Sequence, residues 1–60
     1  MSEFNLRINL DNAAFEHGPM TETCRILRDV AKRIKAGDID GTILDVNGNR
    51  VGYYDTTGKD

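Results

Sequence analysis

Thr21 to Ala36 reads TETCRILRDVAKRIKA, and this stretch decides the fold. At about 100° per residue, Ile26, Val30, Ile34, Leu27, Ala31 and Cys24 fall on one arc, with Thr23 inside it. That periodicity predicts an amphipathic helix whose apolar arc packs into a core. Thr21 is the expected cap, with Glu22 favourable in the first turn. Lys32, Arg33 and Lys35 suit the negative end of the helix dipole, and Gly37 is a natural stop. Arg25, Arg28, Lys32 and Lys35 share the opposite flank, and Asp29 lies at i±4 spacing from Arg25 and Arg33.

Before the helix, Phe4 to Leu10 alternates strictly. Phe4, Leu6, Ile8 and Leu10 would face inward and Asn5, Arg7 and Asn9 outward, which predicts a strand. Asp11 to Met20 reads as a loop, with Asp11 or Asn12 capping one helical turn over Ala13, Ala14 and Phe15. Phe15 is expected to plug one end of the core. Gly18-Pro19 breaks the chain before the helix. After the helix, Thr42 to Val46 and Arg50 to Tyr54 predict a hairpin around Asn47-Gly48, a pair suited to a two-residue turn. That turn would place Leu44, Val46, Val51 and Tyr53 inside and Ile43, Asp45, Arg50 and Tyr54 outside. A four-residue loop keeps the same buried set. Ile43 and Tyr54 then become interface candidates, and residues 55–60 a frayed tail.

The order strand, helix, strand, strand predicts an α+β two-layer domain. One amphipathic helix packs on a three-stranded, mainly antiparallel sheet, and the whole chain, 1–60, is one domain. Sixty residues support only a marginal core. The single cysteine excludes an internal disulfide and suits a reducing compartment. A partner chain is the expected support, either a second copy or a larger target. The N-terminal segment has no continuous apolar run of the signal-peptide kind, and no stretch approaches a membrane span. The reading is therefore a soluble, cytoplasmic protein with no membrane partner.

Net charge is −2 but unevenly spread. Residues 21–36 carry five basic and two acidic side chains; the rest of the chain carries three basic and eight acidic. A cationic helix thus sits on an acidic body that includes Asp38, Asp40, Asp45 and Asp55. Binding is expected to use Arg25, Arg28, Lys32 and Lys35 on one pole, Asp38, Asp40 and Asp45 on the other, and Tyr54. Protein ranks above nucleic acid as partner, because few aromatics are free to stack on bases. Nucleic-acid binding by the basic flank is the alternative.

Motifs for chemistry fail on spacing. From Asp45, positions six and twelve of a calcium loop hold Arg50 and Thr56 instead of glycine and glutamate. In GYYDTTGK, Gly52 to Lys59, five residues separate the glycines and Asp60 follows the lysine, unlike a phosphate loop. His17 and Cys24 lack further ligands for zinc and any context for an oxyanion hole. No catalytic residue, metal or cofactor is expected, and the chain reads as a non-enzyme.

Asn12-Ala13-Ala14-Phe15, Arg25-Ile26-Leu27-Arg28 and Asn47-Gly48-Asn49-Arg50-Val51-Gly52 together resemble very small accessory proteins of phages and bacterial mobile elements. The resemblance spans most of the chain, and no established activity attaches to that class. It implies a compact binder that blocks a host component, including defence systems such as CRISPR complexes, by steric or electrostatic occlusion. A homodimer fits the same picture.

Overall fold

A computed structural model describes residues 3–57. Strand β1 (Glu3–Ile8) leads through a single 3₁₀ turn (Ala13–Phe15) to helix α1 (Pro19–Lys35), then to β2 (Gly41–Leu44) and β3 (Arg50–Thr57). The sheet is antiparallel in the order β1-β3-β2, with β1 meeting β3 from Glu3↔Thr57 to Ile8↔Gly52. The long β3 therefore sits in the centre, and β1 and β2 are both edges. One helix on one sheet face is the two-layer α+β architecture expected from the sequence.

Local chemistry explains the element ends. Asn12 Oδ1 accepts from Ala14 N at 2.9 Å, so Asn12 caps the 3₁₀ turn, and Phe15 beyond it is 2% exposed. The helix starts two residues before the expected Thr21. Pro19 occupies its first turn, where a missing N–H costs nothing, and Gly18 caps it without a side chain. At the other end Gly37 N donates to the Ile34 carbonyl and Asp38 N to the Arg33 carbonyl. This Schellman closure needs the positive φ of Gly37, +109°.

The core is Phe15, Ile26, Val30, Ile43, Val51 and Tyr54, with Leu6, Ile8 and Ala14 packed against it. This corrects the expected faces of the hairpin. Ile43 and Tyr54 are each 1% exposed, whereas Leu44, Val46 and Tyr53 stand outside. The pairing with β1 is the reason: Leu6 lies opposite Tyr54 and Ile8 opposite Gly52, so Tyr54 shares the inner face of β1, and Ile43, opposite Gly52, shares it too. Gly48 N donates to the Asp45 carbonyl and Asp45 N to the Asn49 carbonyl, so the loop has three residues, Val46 to Gly48. The extra loop residue is offset by one extra residue on β3, so Ile43 still lies opposite Gly52. The register then slips between Ile43↔Gly52 and Leu44↔Arg50, leaving Val51 without a β2 partner. That bulge lets Val51 enter the same core as Tyr54, three residues away. Asp55, Thr56 and Thr57 belong to β3 and pair with β1, so the tail does not begin at Asp55. Residues 58–60 of that expected tail lie outside the described residues. Leu10 lies beyond the end of β1 and is exposed.

Candidate functional site

The helix buries a narrower stripe than its periodicity suggests. Glu22, Ile26 and Val30 are its buried residues, and they follow one another at i+4. Ion pairing explains the carboxylate in that stripe. Glu22 Oε1 accepts from Arg25 Nε at 2.8 Å, and Oε2 accepts from Arg25 Nη2 and from the Val46 backbone N, each at 2.9 Å. The Arg25 bonds outweigh the cost of burial and, with the Val46 N–H, hold the Glu22 carboxyl below its ordinary 4.5. The same contact raises the Arg25 guanidinium. Arg25 is therefore engaged within the fold, and this corrects its placement on a free basic flank.

These groups close one edge of the sheet. Arg25 Nη2 donates to the Leu44 carbonyl at 3.4 Å, and Arg33 Nη1 to the Thr42 carbonyl at 3.0 Å. Leu44 and Thr42 alternate along β2, so both turn their carbonyls away from β3. Arg33 also lies over the Tyr54 ring at 5.2 Å, with its Nε 3.4 Å from Asp29 Oδ2. Helix side chains thus blunt the β2 edge, which would otherwise offer unpaired backbone groups.

Two more expected binding residues prove structural. Asp45 is 5% exposed, and its Oδ1 accepts from Asn47 N and Asn49 N at 2.8 Å each. It closes the hairpin turn as an Asx motif and presents no charge to a partner. Tyr54 is in the core instead of on the surface. Asp38 and Asp40 are exposed, on the segment joining α1 to β2. Asp55 is half-buried and accepts from Asn5 Nδ2 at 3.1 Å. Of the acidic pole only Asp38 and Asp40 remain as surface candidates.

The other helix residues form a surface, of which Cys24, Leu27, Ala31 and Ile34 were expected in the core and Met20 in the preceding loop. Met20, Cys24, Leu27, Ala31 and Ile34 are all exposed, Met20 by 60%, Leu27 by 45% and Ile34 by 38%. Their spacing of four, three, four and three residues is that of a coiled-coil seam. At 1.5 Å per residue the stripe runs about 21 Å. Arg28, Lys32 and Lys35, each directly after a stripe residue, form its rim; all three are exposed. Among the described residues none of the three has a carboxylate within salt-bridge reach. The signal for this surface was available in the width of the apolar arc, which exceeds what one helix needs to sit on a small sheet.

The back of the sheet carries a hollow of about 380 Å³ with Arg7, Arg50 and Tyr53 in its lining. It holds two arginines but no nucleophile beside a base. Among the described residues no three His, Cys, Asp or Glu side chains gather as a metal site, and no helix is long and apolar enough to cross a membrane. His17 and Cys24 are both exposed. Comparison with protein-family models, with curated proteins and with solved structures finds no match to this chain.

Proposed function

We propose that the chain is a non-catalytic protein-binding module whose docking face is the outer side of α1. The observation that carries this is the exposed stripe Met20, Cys24, Leu27, Ala31 and Ile34, rimmed by Arg28, Lys32 and Lys35. Removing Met20, Leu27 and Ile34 from water would contribute about 1 kcal/mol each, since each is roughly half exposed. That supports a specific contact and leaves affinity to be set by charge.

Charge also selects the occupant. Two copies of the stripe packed antiparallel would set Arg28 beside Arg28 of the second copy, a like-charge contact. A partner with an apolar face flanked by Asp or Glu avoids that repulsion and neutralises the rim. The partner we infer is therefore an acidic amphipathic helix of another protein. The sequence resemblance adds the setting: a host protein in the bacterial cytoplasm, blocked by occlusion, as an inhibitor of a CRISPR or other defence complex would act.

A labelled synthetic helix of about 21 residues, with Leu at the seam positions and Glu at the flanks, tests this by fluorescence anisotropy. The same peptide with Lys flanks, anionic vesicles and duplex DNA serve as comparisons. The Glu peptide is expected to bind, and Leu27→Glu with Ile34→Glu to abolish binding. Equal binding of both peptides would overturn the proposal, as would preference for DNA or vesicles.

A further inference from the structure

We propose that β1 is a dimerisation edge, at which two copies join through antiparallel β1–β1 pairing centred on Asn5 into one six-stranded sheet. This interface does not use the α1 stripe, so it stands or falls separately from the docking face above.

The two edges of the sheet are treated differently by the fold. On β2, Arg25 and Arg33 occupy the outward carbonyls of Leu44 and Thr42, and Glu22 takes the Val46 N–H just beyond. On β1 the pattern is open. Asn9 N donates to the Val51 carbonyl at 2.8 Å, in register with the β1–β3 pairs before it. By the alternation of an antiparallel ladder, Asn5, Arg7 and Asn9 therefore turn their backbone groups toward β3. Phe4, Leu6 and Ile8 turn theirs to the free edge. Among the described residues no side chain bonds to those outward groups. The strand EFNLRI has six residues and none of the proline, lysine or bulge that natural edges use against pairing.

The strand is also complementary to itself. Antiparallel pairing centred on Asn5 sets Glu3 opposite Arg7 of the second copy, twice by symmetry. It sets Phe4 opposite Leu6 of the second copy, again twice. The charged pairs lie on the outer sheet face and the apolar pairs on the helix side. Phe4 and Leu6 are both free-edge residues, so they can make the ladder bonds of this register. Centring on Phe4 or Leu6 keeps the faces matched but loses the Glu3–Arg7 pairs. Phe4 is 48% exposed although its ring packs 6.2 Å from that of Tyr54. The second copy would extend the apolar layer over it.

Sedimentation equilibrium over a wide concentration series tests the pairing. The expected species is twice the 6.7 kDa chain mass at the upper end. Glu3→Arg alone, or Arg7→Glu alone, turns two attractive cross-strand pairs repulsive and should weaken the dimer roughly tenfold. The double variant Glu3→Arg/Arg7→Glu should restore it, and both positions are exposed, so folding is spared. Hydrogen exchange gives a second readout: the Phe4 and Leu6 amides should slow with concentration while Asn5, Arg7 and Asn9 stay protected throughout. A 6.7 kDa species at every concentration overturns the proposal. So does a dimer whose strength ignores the charge swap, or one that leaves the Phe4 and Leu6 amides fast.

Discussion

Replacing Glu22 with alanine should make this domain unfold more readily. The side chain is 8% exposed and accepts from Arg25 twice and from Val46 N once. Alanine leaves the Val46 N–H without its acceptor beside the hairpin turn and frees the arginine that holds the Leu44 carbonyl. A fully buried donor left unsatisfied costs about 1–3 kcal/mol, and the part-buried Val46 N–H falls at the low end of that range. The Arg25 side chain is 44% exposed, so its loss of a partner is screened and adds less than about 1 kcal/mol. The sum is up to about 2 kcal/mol, which for a chain of this size lowers Tm by up to roughly 8–16 °C. The effect carries a pH signature. The folded-state carboxyl lies below its ordinary 4.5, so its stabilisation is complete above that value and is lost as pH falls through the lowered one. Thermal melts of the wild type, Glu22→Ala and Glu22→Gln at neutral pH and below pH 4.5 measure both effects. Glutamine keeps an acceptor for Val46 and should lie between the other two. Its gap from wild type should narrow on acidification. A Glu22→Ala Tm within error of wild type at neutral pH would refute the reasoning.

Two further substitutions probe the core and the helix faces. Tyr54 is 1% exposed with its hydroxyl unpartnered among the described residues, so Tyr54→Phe should keep or raise stability, by up to about 1 kcal/mol in urea unfolding. A loss beyond that would mean the hydroxyl has a partner. Ile26→Ala should cost about 2–5 kcal/mol because Ile26 is 1% exposed, whereas Leu27→Ala should cost under about 1 kcal/mol at 45% exposure. Equal losses would contradict the division of the helix into a core stripe and an outer stripe.

Much of this architecture is legible in the sequence because its signals are local. The strict alternation from Phe4 to Ile8 gives a strand with the correct inner face, Asn12 caps the turn that seats Phe15, and Gly37 closes the helix. Where the reading of the hairpin fails, the cause is a pairing distant in sequence. Alternation in the hairpin does not say which face meets the helix; the pairing of Leu6 with Tyr54 decides that, and Ile43 and Tyr54 turn inward although Ile43 still lies opposite Gly52 as a two-residue turn would place it. The bulge at Val51 then restores that one side chain to the core, which no alternation pattern encodes. The helix shows a different limit. Periodicity identifies an apolar arc but not how much of it the sheet covers, so Leu27 and Ile34 pass for core. Charge composition has the same limit. It counts Arg25 and Arg33 with the free cations, although both bind the backbone of β2 and only Arg28, Lys32 and Lys35 are left outward. The Glu22–Arg25 spacing at i+3 was a signal for that engagement.

Cys24 offers the most direct test of the docking face, because it lies within the outer stripe and is the only thiol in the chain. In the free protein it should react with a maleimide nearly as fast as in the unfolded chain. Saturation with the Glu-flanked helix should slow the reaction strongly, and Leu27→Glu with Ile34→Glu should remove that protection. An unchanged rate in the bound state would contradict the placement of the binding surface on α1.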